Sequence, residues 1–212
     1  MLLLINILQF DSLHLFDIPL IETELWEAAD ELRANSKLTA AEYSMPVLGL
    51  IFLRHADNRY QAVLQQVLAK LPMRDGKPLR EPRKEDFTGQ SAIFLPEQAR
   101  YHFLATLPQG QNVGQAIDDA MQMIEDQYEI LKGALPRGYT HFEPDLLANL
   151  LKTFNRPALQ AATGDVFGKI YEYFLNKEAQ SEVEARHKTW LKLLALQKNL
   201  WVNFGSGKAP SA

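Results

Sequence analysis

The sequence predicts an all-α protein, a helical bundle with at most a short strand pair. Apolar residues recur at helical spacing in several segments, and capping residues precede many of these segments. Strands alternating with helices, the pattern of a nucleotide-binding α/β sheet, are missing from the sequence. A chain of 212 residues with 47% hydrophobic content can bury a core without help from disulfides.

The first helix is predicted over residues 25–33, with Thr23 as its N-cap. Its buried face is an apolar stripe at helical spacing, formed by Leu25, Ala28, Ala29 and Leu32. Residues 1–20 form an N-terminal extension that is apolar at its start. They lack a basic region and a cleavage site, so they predict a short strand or a packed extension rather than a secretory signal.

A second helix is predicted to begin at the capping box Thr39-Ala-Ala-Glu42. Pro46 removes one backbone donor, so we expect a kink or a split early in this helix. Residues 47–53 are apolar on nearly every side, which predicts a position in the middle of the bundle. After Arg54 the pattern becomes amphipathic and continues to about Leu71.

The longest irregular stretch covers residues 72–89 and carries nine charged residues of both signs. Its glycine and prolines predict an exposed loop. Residues 93–95 predict a brief strand, and Pro96 suits a helix start.

The next helix is predicted to begin at the N-cap Asn112 and to end at Gly133 as its C-cap. Its stripe consists of Ile117, Met121, Ile124, Tyr128 and Leu131. Pro144 begins another helix, which residues 155–157 end. The inward residues of that helix are Leu147, Leu150, Leu151 and Phe154. Asp165 is expected to cap a further helix, which bears Phe167, Ile170, Tyr171 and Phe174.

Several kinds of active site are not indicated by the sequence. The histidines at 14, 55, 102, 141 and 187 show no metal-ligand spacing, and His55 is expected to be packed. The pairs 118–119 and 125–126 are acidic, but they lie on the polar side of an amphipathic helix and predict a solvated face. We therefore predict no catalytic, cofactor-binding or metal-binding residue. Cysteine is absent, which fits a reducing cytosol, and a net charge of -4 argues against non-specific coating of nucleic acid.

Five sequence blocks stand in a specific order along residues 21–177. They begin with Leu25-Trp-Glu-Ala-Ala-Asp-Glu-Leu-Arg33 and end with Phe167-Gly-Lys-Ile-Tyr-Glu-Tyr-Phe-Leu175, with 47–53, 94–100 and 116–121 between them. In this order they resemble the N-terminal helical domain of the modification (M) subunit of type I restriction–modification systems. That subunit is a DNA adenine-N6 methyltransferase that uses S-adenosylmethionine.

The resemblance implies a helical domain over residues 21–160 and the first helix of the methyltransferase domain over 161–177. The family then continues to a Gly-Glu-Phe-[Tyr/Phe]-Thr-Pro segment, an Asp-Pro-Ala-Cys-Gly-Ser-Gly cofactor loop and an Asn-Pro-Pro-[Tyr/Phe] motif that stacks a flipped adenine. None of these occurs here, and residues 178–212 form a divergent tail. We therefore expect a chain truncated before its α/β catalytic domain, with no methyltransferase activity of its own and a helical stub whose Phe167 face is exposed or capped by residues 190–201.

The resemblance also implies DNA clamping, contacts with the specificity (S) and restriction (R) subunits, and a cytoplasmic location without membrane contact. The candidate contacts to DNA phosphates are Lys77, Arg80, Arg83 and Lys84. Carboxylates interleave with these cations, so a solvated loop of mixed charge is the competing interpretation. Two other functions stay open, a non-enzymatic helical module that binds the specificity subunit and a decayed gene product.

Overall fold

The computed structural model describes residues 40–160 except 88, 91 and 109, together with residues 23, 27, 34, 167–169 and 172. The predicted all-α class is confirmed. The helices of the described part are α1 (Ala40–Lys70), α2 (Tyr101–Ala105), α3 (Val113–Gln127), α4 (Pro144–Phe154) and α5 (Pro157–Gln160). Turns of 3₁₀-helix lie at Lys84–Phe87, Glu97–Ala99, Glu129–Leu131 and Tyr139–His141. No helix in the described part of the chain has the length and hydrophobicity of a membrane span.

Helix α1 occupies the centre of the described structure. All residues from 46 to 57 are buried, which confirms the prediction from its all-round apolar sequence. The helix continues through Pro46, so the predicted split does not occur, and the alternative of a kink stays a prediction. Tyr139 helps to hold this part of α1, since its hydroxyl donates to the Pro46 carbonyl at 2.7 Å. Thr39 of the capping box lies outside the described residues.

Helix α4 packs on both α1 and α3, and all residues of the two predicted stripes are buried. Asn112 caps α3 as expected, because its side-chain oxygen accepts from the Gln115 backbone N–H at 3.0 Å. The predicted end at Gly133 is wrong. The helix ends at Gln127, because Tyr128 adopts an extended conformation, and Gly133 with its φ of +68° follows a separate 3₁₀ turn.

The loop that connects α3 and α4 lies in close contact with α1 and α3. A Cβ atom at Gly114 would lie 2.5 Å from the Tyr139 carbonyl oxygen. A Cβ at Gly49 would meet the Tyr139 hydroxyl and the Pro136 ring. Because Gly49 and Gly114 have no side chain, the two helices leave room for this loop, and Tyr139 is fully buried there.

The strand pair lies elsewhere than predicted. Residues 93–95 form no strand, although Ile93 and Leu95 are buried. Instead β1 (Met73–Arg74) pairs antiparallel with β2 (Lys77–Pro78) within the predicted loop. The turn between them has positive φ at Asp75 (50°) and Gly76 (75°), as a two-residue type I′ turn requires. An Asp-Gly dipeptide favours this turn, so the hairpin signal was present in the sequence.

Two further predictions concern the ends of the chain, where the structure describes only a few residues. Thr23 is itself helical, so it lies within the first helix and not at its N-cap. The stripe of residues 25–32 lies outside the described residues. Phe167 is only 1% exposed and its ring centroid lies 4.6 Å from that of His55. Phe167 itself is therefore not exposed, because its ring packs on α1. Residues 170, 171, 174 and 190–201 lie outside the described part, so the expectation that part of this face is exposed or capped stays a prediction.

Candidate nucleic-acid interface

Arg80 is held by a carboxylate of its own loop. Its Nη1 and Nη2 atoms donate to the two carboxylate oxygens of Asp86 at 2.6 and 2.7 Å. These hydrogen bonds are the main reason that the pKa of Asp86 is lowered to about 2. The Arg83 backbone N–H donates a further hydrogen bond to the same carboxylate at 2.7 Å. A bidentate pair of this kind fixes the geometry of both side chains. Arg80 therefore serves first to close the base of the loop.

Lys84 connects the loop to α3. Its ammonium group donates to the Gln127 carbonyl and lies 4.8 Å from the centre of the Tyr128 ring. A cation at the C-terminal end of a helix also interacts favourably with the helix dipole. Like Arg80, this predicted phosphate contact already has partners within the protein.

Lys77 and Arg83 differ from the other two candidates. Both are exposed, and neither side chain has a hydrogen-bond or ion-pair partner in the described part of the chain. Lys77 stands directly opposite Arg74 in the hairpin. Sequence reasoning missed Arg74, because only the cross-strand register places it beside Lys77. The Asp75-Gly76 turn between the two strands is the sequence signal that predicts this register.

The loop returns to the core immediately after these charges. Phe87 is 1% exposed, and its ring stacks on that of Tyr60 with centroids 5.0 Å apart. The hydroxyl of Tyr60 in turn accepts a hydrogen bond from Arg100 at 2.9 Å. The exposed hairpin therefore projects from an anchored base.

The acidic pairs of α3 do not form the uniform solvated face that was predicted. Asp118 accepts from the backbone N–H of Gly138 at 2.9 Å, and buried Glu125 accepts from Leu135 N–H at 2.8 Å and from Arg137 at 2.7 Å. The prediction is wrong for these two carboxylates, because the loop after α3 folds back onto the helix. Their partners, Asp119 and Asp126, are exposed as expected. Half-buried Asp118 and buried Glu125 therefore both have structural contacts.

A buried polar cluster around Arg54 was also missed. The guanidinium donates to Asp57 at 2.6 Å, to Asn58 at 2.9 Å and to Asn155 at 2.9 Å. It also lies 4.6 Å from the centre of the Tyr101 ring. The cluster joins α1, α2 and the end of α4, so its charges stabilise the arrangement of helices.

His55 is buried as predicted and lies beside this cluster. Burial, followed by the nearby charge of Arg59, lowers the pKa of His55 to about 4. The imidazole is therefore neutral near pH 7. Within the described residues no group of three or more His, Cys, Asp or Glu could hold a metal ion.

The described residues contain no glycine-rich loop that connects a strand to a helix. Their strands form a single antiparallel hairpin, and a methyl-donor site of the expected kind needs a glycine-rich loop between a strand and a helix. An open cleft of about 510 Å³ lies between α2 and α4, but it is lined by helix and loop residues such as Leu104, Pro108 and Lys152. No chemical step is therefore assigned to the described part.

Comparison with known proteins agrees with the resemblance. The chain is 30% identical over 178 residues to the type I restriction enzyme MjaIX methylase subunit of Methanocaldococcus jannaschii, an alignment that covers 77% of this chain and 32% of that protein. It is 33% identical over 111 residues to the type I restriction enzyme HindI methylase subunit of Haemophilus influenzae, covering 42% of this chain and 25% of that protein. The chain thus spans about a third or less of the length of these relatives. Residues 21–154 match the family model of the HsdM N-terminal domain, and the chain belongs to that family.

Proposed function

We propose that this chain supplies the N-terminal helical domain of a type I restriction–modification DNA adenine-N6 methyltransferase subunit. In this role it clamps double-stranded DNA and contacts the specificity and restriction subunits in the cytoplasm. Methyl transfer from S-adenosylmethionine belongs to the complete subunit of the family. The polypeptide of 212 residues does not transfer a methyl group by itself.

Family membership carries this proposal. The family match covers the whole described bundle up to α4, and both named relatives are type I methylase subunits. The buried charges support a binding role over a catalytic one. Within the described residues, buried Arg54 is paired with Asp57 and buried Glu125 is paired with Arg137.

The second candidate function is a non-enzymatic module that binds the specificity subunit and does not contact DNA. The mixed charge of residues 72–89 favours it, because the opposite charges reduce the net field of this loop. A decayed gene product would bind neither partner.

The test is retention of the full chain on immobilised specificity subunit from the same restriction–modification system, followed by a tritiated-methyl assay on unmethylated DNA. Retention together with DNA binding by the complex, but without methyl incorporation, is the expected result. Retention without DNA binding would favour the module, and no retention would contradict both functions.

Calorimetric titration of the same sample with S-adenosylmethionine tests the missing catalytic function. Catalysis needs donor and adenine held together in reactive geometry. We expect no saturable heat of donor binding. Saturable binding, or turnover by the pure chain, would overturn this part of the proposal.

A further inference from the structure

One surface element with a local excess of positive charge is the segment of residues 70–80, here called the basic arm. It holds four cationic side chains and one carboxylate, a net charge of +3 in a chain whose total is -4. It comprises the last residue of α1 and the whole β1–β2 hairpin. Positive charge is therefore concentrated in this segment, although the protein as a whole is negatively charged. Such a local patch can attract an anion that the net charge of the protein would repel.

The tip of the basic arm carries an unfavourable pair of like charges. Arg74 and Lys77 are directly opposite across the two strands. Side chains at opposite positions lie on the same face of a hairpin, and like charges placed there destabilise it. The pairing is therefore not explained by the stability of the hairpin, whereas an anion bound between or beside the two cations would offset their repulsion.

The nearby carboxylate does not neutralise this pair. The Nε atom of Arg74 lies 3.9 Å from Asp75 Oδ2, beyond hydrogen-bond distance, and the two side chains are 79% and 95% exposed. Ion pairs that are this exposed contribute little. Lys77 has no ion-pair partner in the described residues. Both cations at the tip are thus available to an external anion.

The base of the basic arm is held in place by another of its cations, Arg80. Arg80 forms the bidentate pair with Asp86, and Phe87 immediately after it lies in the core. The Leu79 backbone N–H donates to the Pro72 carbonyl at 2.8 Å and closes the hairpin. An anchored base lowers the conformational entropy that the tip loses on binding.

We propose that Arg74 and Lys77 at the tip of the basic arm bind the phosphate backbone of double-stranded DNA, and that Arg80 positions the arm without contacting DNA. This inference rests on the proposed function, because DNA is the polyanion on which the family's complexes act. It adds Arg74 to the candidate contacts and assigns Arg80 a different role from the one the sequence predicted.

The test measures binding of a fluorescein-labelled DNA duplex of arbitrary sequence by the full chain in complex with its specificity subunit. Fluorescence anisotropy is recorded between about 50 and 200 mM salt, the range over which phosphate contacts are lost. For Arg74→Gln/Lys77→Gln we expect the slope of log K against log salt to fall by about one for each contact removed. The wild-type complex then loses roughly tenfold more affinity than the variant across this range.

Two further variants sharpen the result. Lys132→Gln/Lys152→Gln changes the net charge equally at exposed lysines outside the basic arm, and its salt slope should match that of the wild type. Asp75→Asn removes the only carboxylate of the basic arm and keeps an Asn-Gly turn, which type I′ geometry favours. It should bind the duplex more tightly than the wild type.

A stability measurement separates binding from folding. Arg74→Gln/Lys77→Gln should unfold at the same or a higher denaturant concentration than the wild type, because it removes a like-charge pair. A variant that loses DNA binding and also unfolds earlier would overturn the inference.

The outcomes distinguish this inference from the proposed function. If the wild-type complex does not bind DNA, the proposed function fails. If it binds DNA and Arg74→Gln/Lys77→Gln binds equally well with an unchanged slope, only the assignment to the basic arm fails. If the variant instead loses the specificity subunit, the partner of the basic arm is an acidic protein surface and the inference is wrong.

Discussion

The hydroxyl of Tyr139 donates to the carbonyl of Pro46 at 2.7 Å, and this bond joins the loop after α3 to the central helix. Both groups are buried. A buried hydrogen bond of this type contributes about 1 kcal/mol to stability. Tyr139→Phe should therefore lower the free energy of unfolding by about that amount in urea titrations, with an unchanged m-value. A neutral or stabilising result would contradict the bond.

Gly114 tests a different contact of Tyr139, the close approach of its backbone carbonyl to α3. Gly114→Ala should destabilise the protein by about 1–3 kcal/mol, because its Cβ would lie 2.5 Å from a backbone oxygen that cannot easily move. The control is Gly168→Ala, also in a helix, where a Cβ meets no atom of the described residues within 4 Å. There the substitution should be neutral or stabilising by up to about 1 kcal/mol. Equal effects at the two positions would show that the close approach does not exist.

Because Arg54 and Asp57 form a buried ion pair, we expect the effects of their substitutions on the free energy of unfolding to be strongly non-additive. Burial raises the pKa of Asp57, and the Arg54 guanidinium opposes this rise. Asp57→Leu leaves a buried guanidinium without its carboxylate, which costs about 3–5 kcal/mol. Arg54→Met/Asp57→Leu removes both charges and should recover much of that loss. A double-mutant cycle from urea denaturation measures this coupling, and additive effects would argue against a buried ion pair.

His55 predicts a loss of stability in mild acid. Its pKa is about 4 in the folded protein, against 6.5 for an ordinary imidazole. Between these values the unfolded chain takes up a proton that the folded protein does not, so stability falls as the pH decreases from about 6.5 to 4. The total loss is roughly 3 kcal/mol, and below about pH 4 this contribution becomes constant.

The variant that tests this pH dependence is His55→Gln, which cannot bind the proton. Its unfolding free energy should vary less between pH 6.5 and 4 than that of the wild type. The matched control is His102→Gln at an exposed position of α2. It should retain the wild-type pH dependence. An unchanged pH dependence in His55→Gln would contradict the buried neutral imidazole.

Local signals predicted the helices of the described bundle well. The Asn112 cap, Pro144 at a helix start and the all-round apolar run in α1 each depend on residues close in sequence. Where the helix terminus depends on tertiary packing, the prediction failed. Tyr128 leaves α3 in an extended conformation, and its buried hydroxyl accepts a hydrogen bond from the Phe94 backbone N–H at 2.7 Å.

The roles of individual charges depended on longer-range contacts. The bond from Leu135 N–H to Glu125 requires the loop to fold back, and a helical pattern does not contain that information. Arg54 was recognised only as the end of an apolar run, because its partner Asn155 lies 101 residues away in sequence. Arg80 and Lys77 looked equivalent in the sequence, and only their contacts separate an anchoring residue from an exposed one.

The proposed function requires that this chain joins a type I methylase assembly on DNA. Size-exclusion chromatography with light scattering measures this, using the full chain mixed with the specificity subunit of the same system and a DNA duplex. We expect one species whose mass includes the chain, the specificity subunit and the duplex. Elution of the chain at its own mass, separate from both partners, would show that the proposed function is wrong.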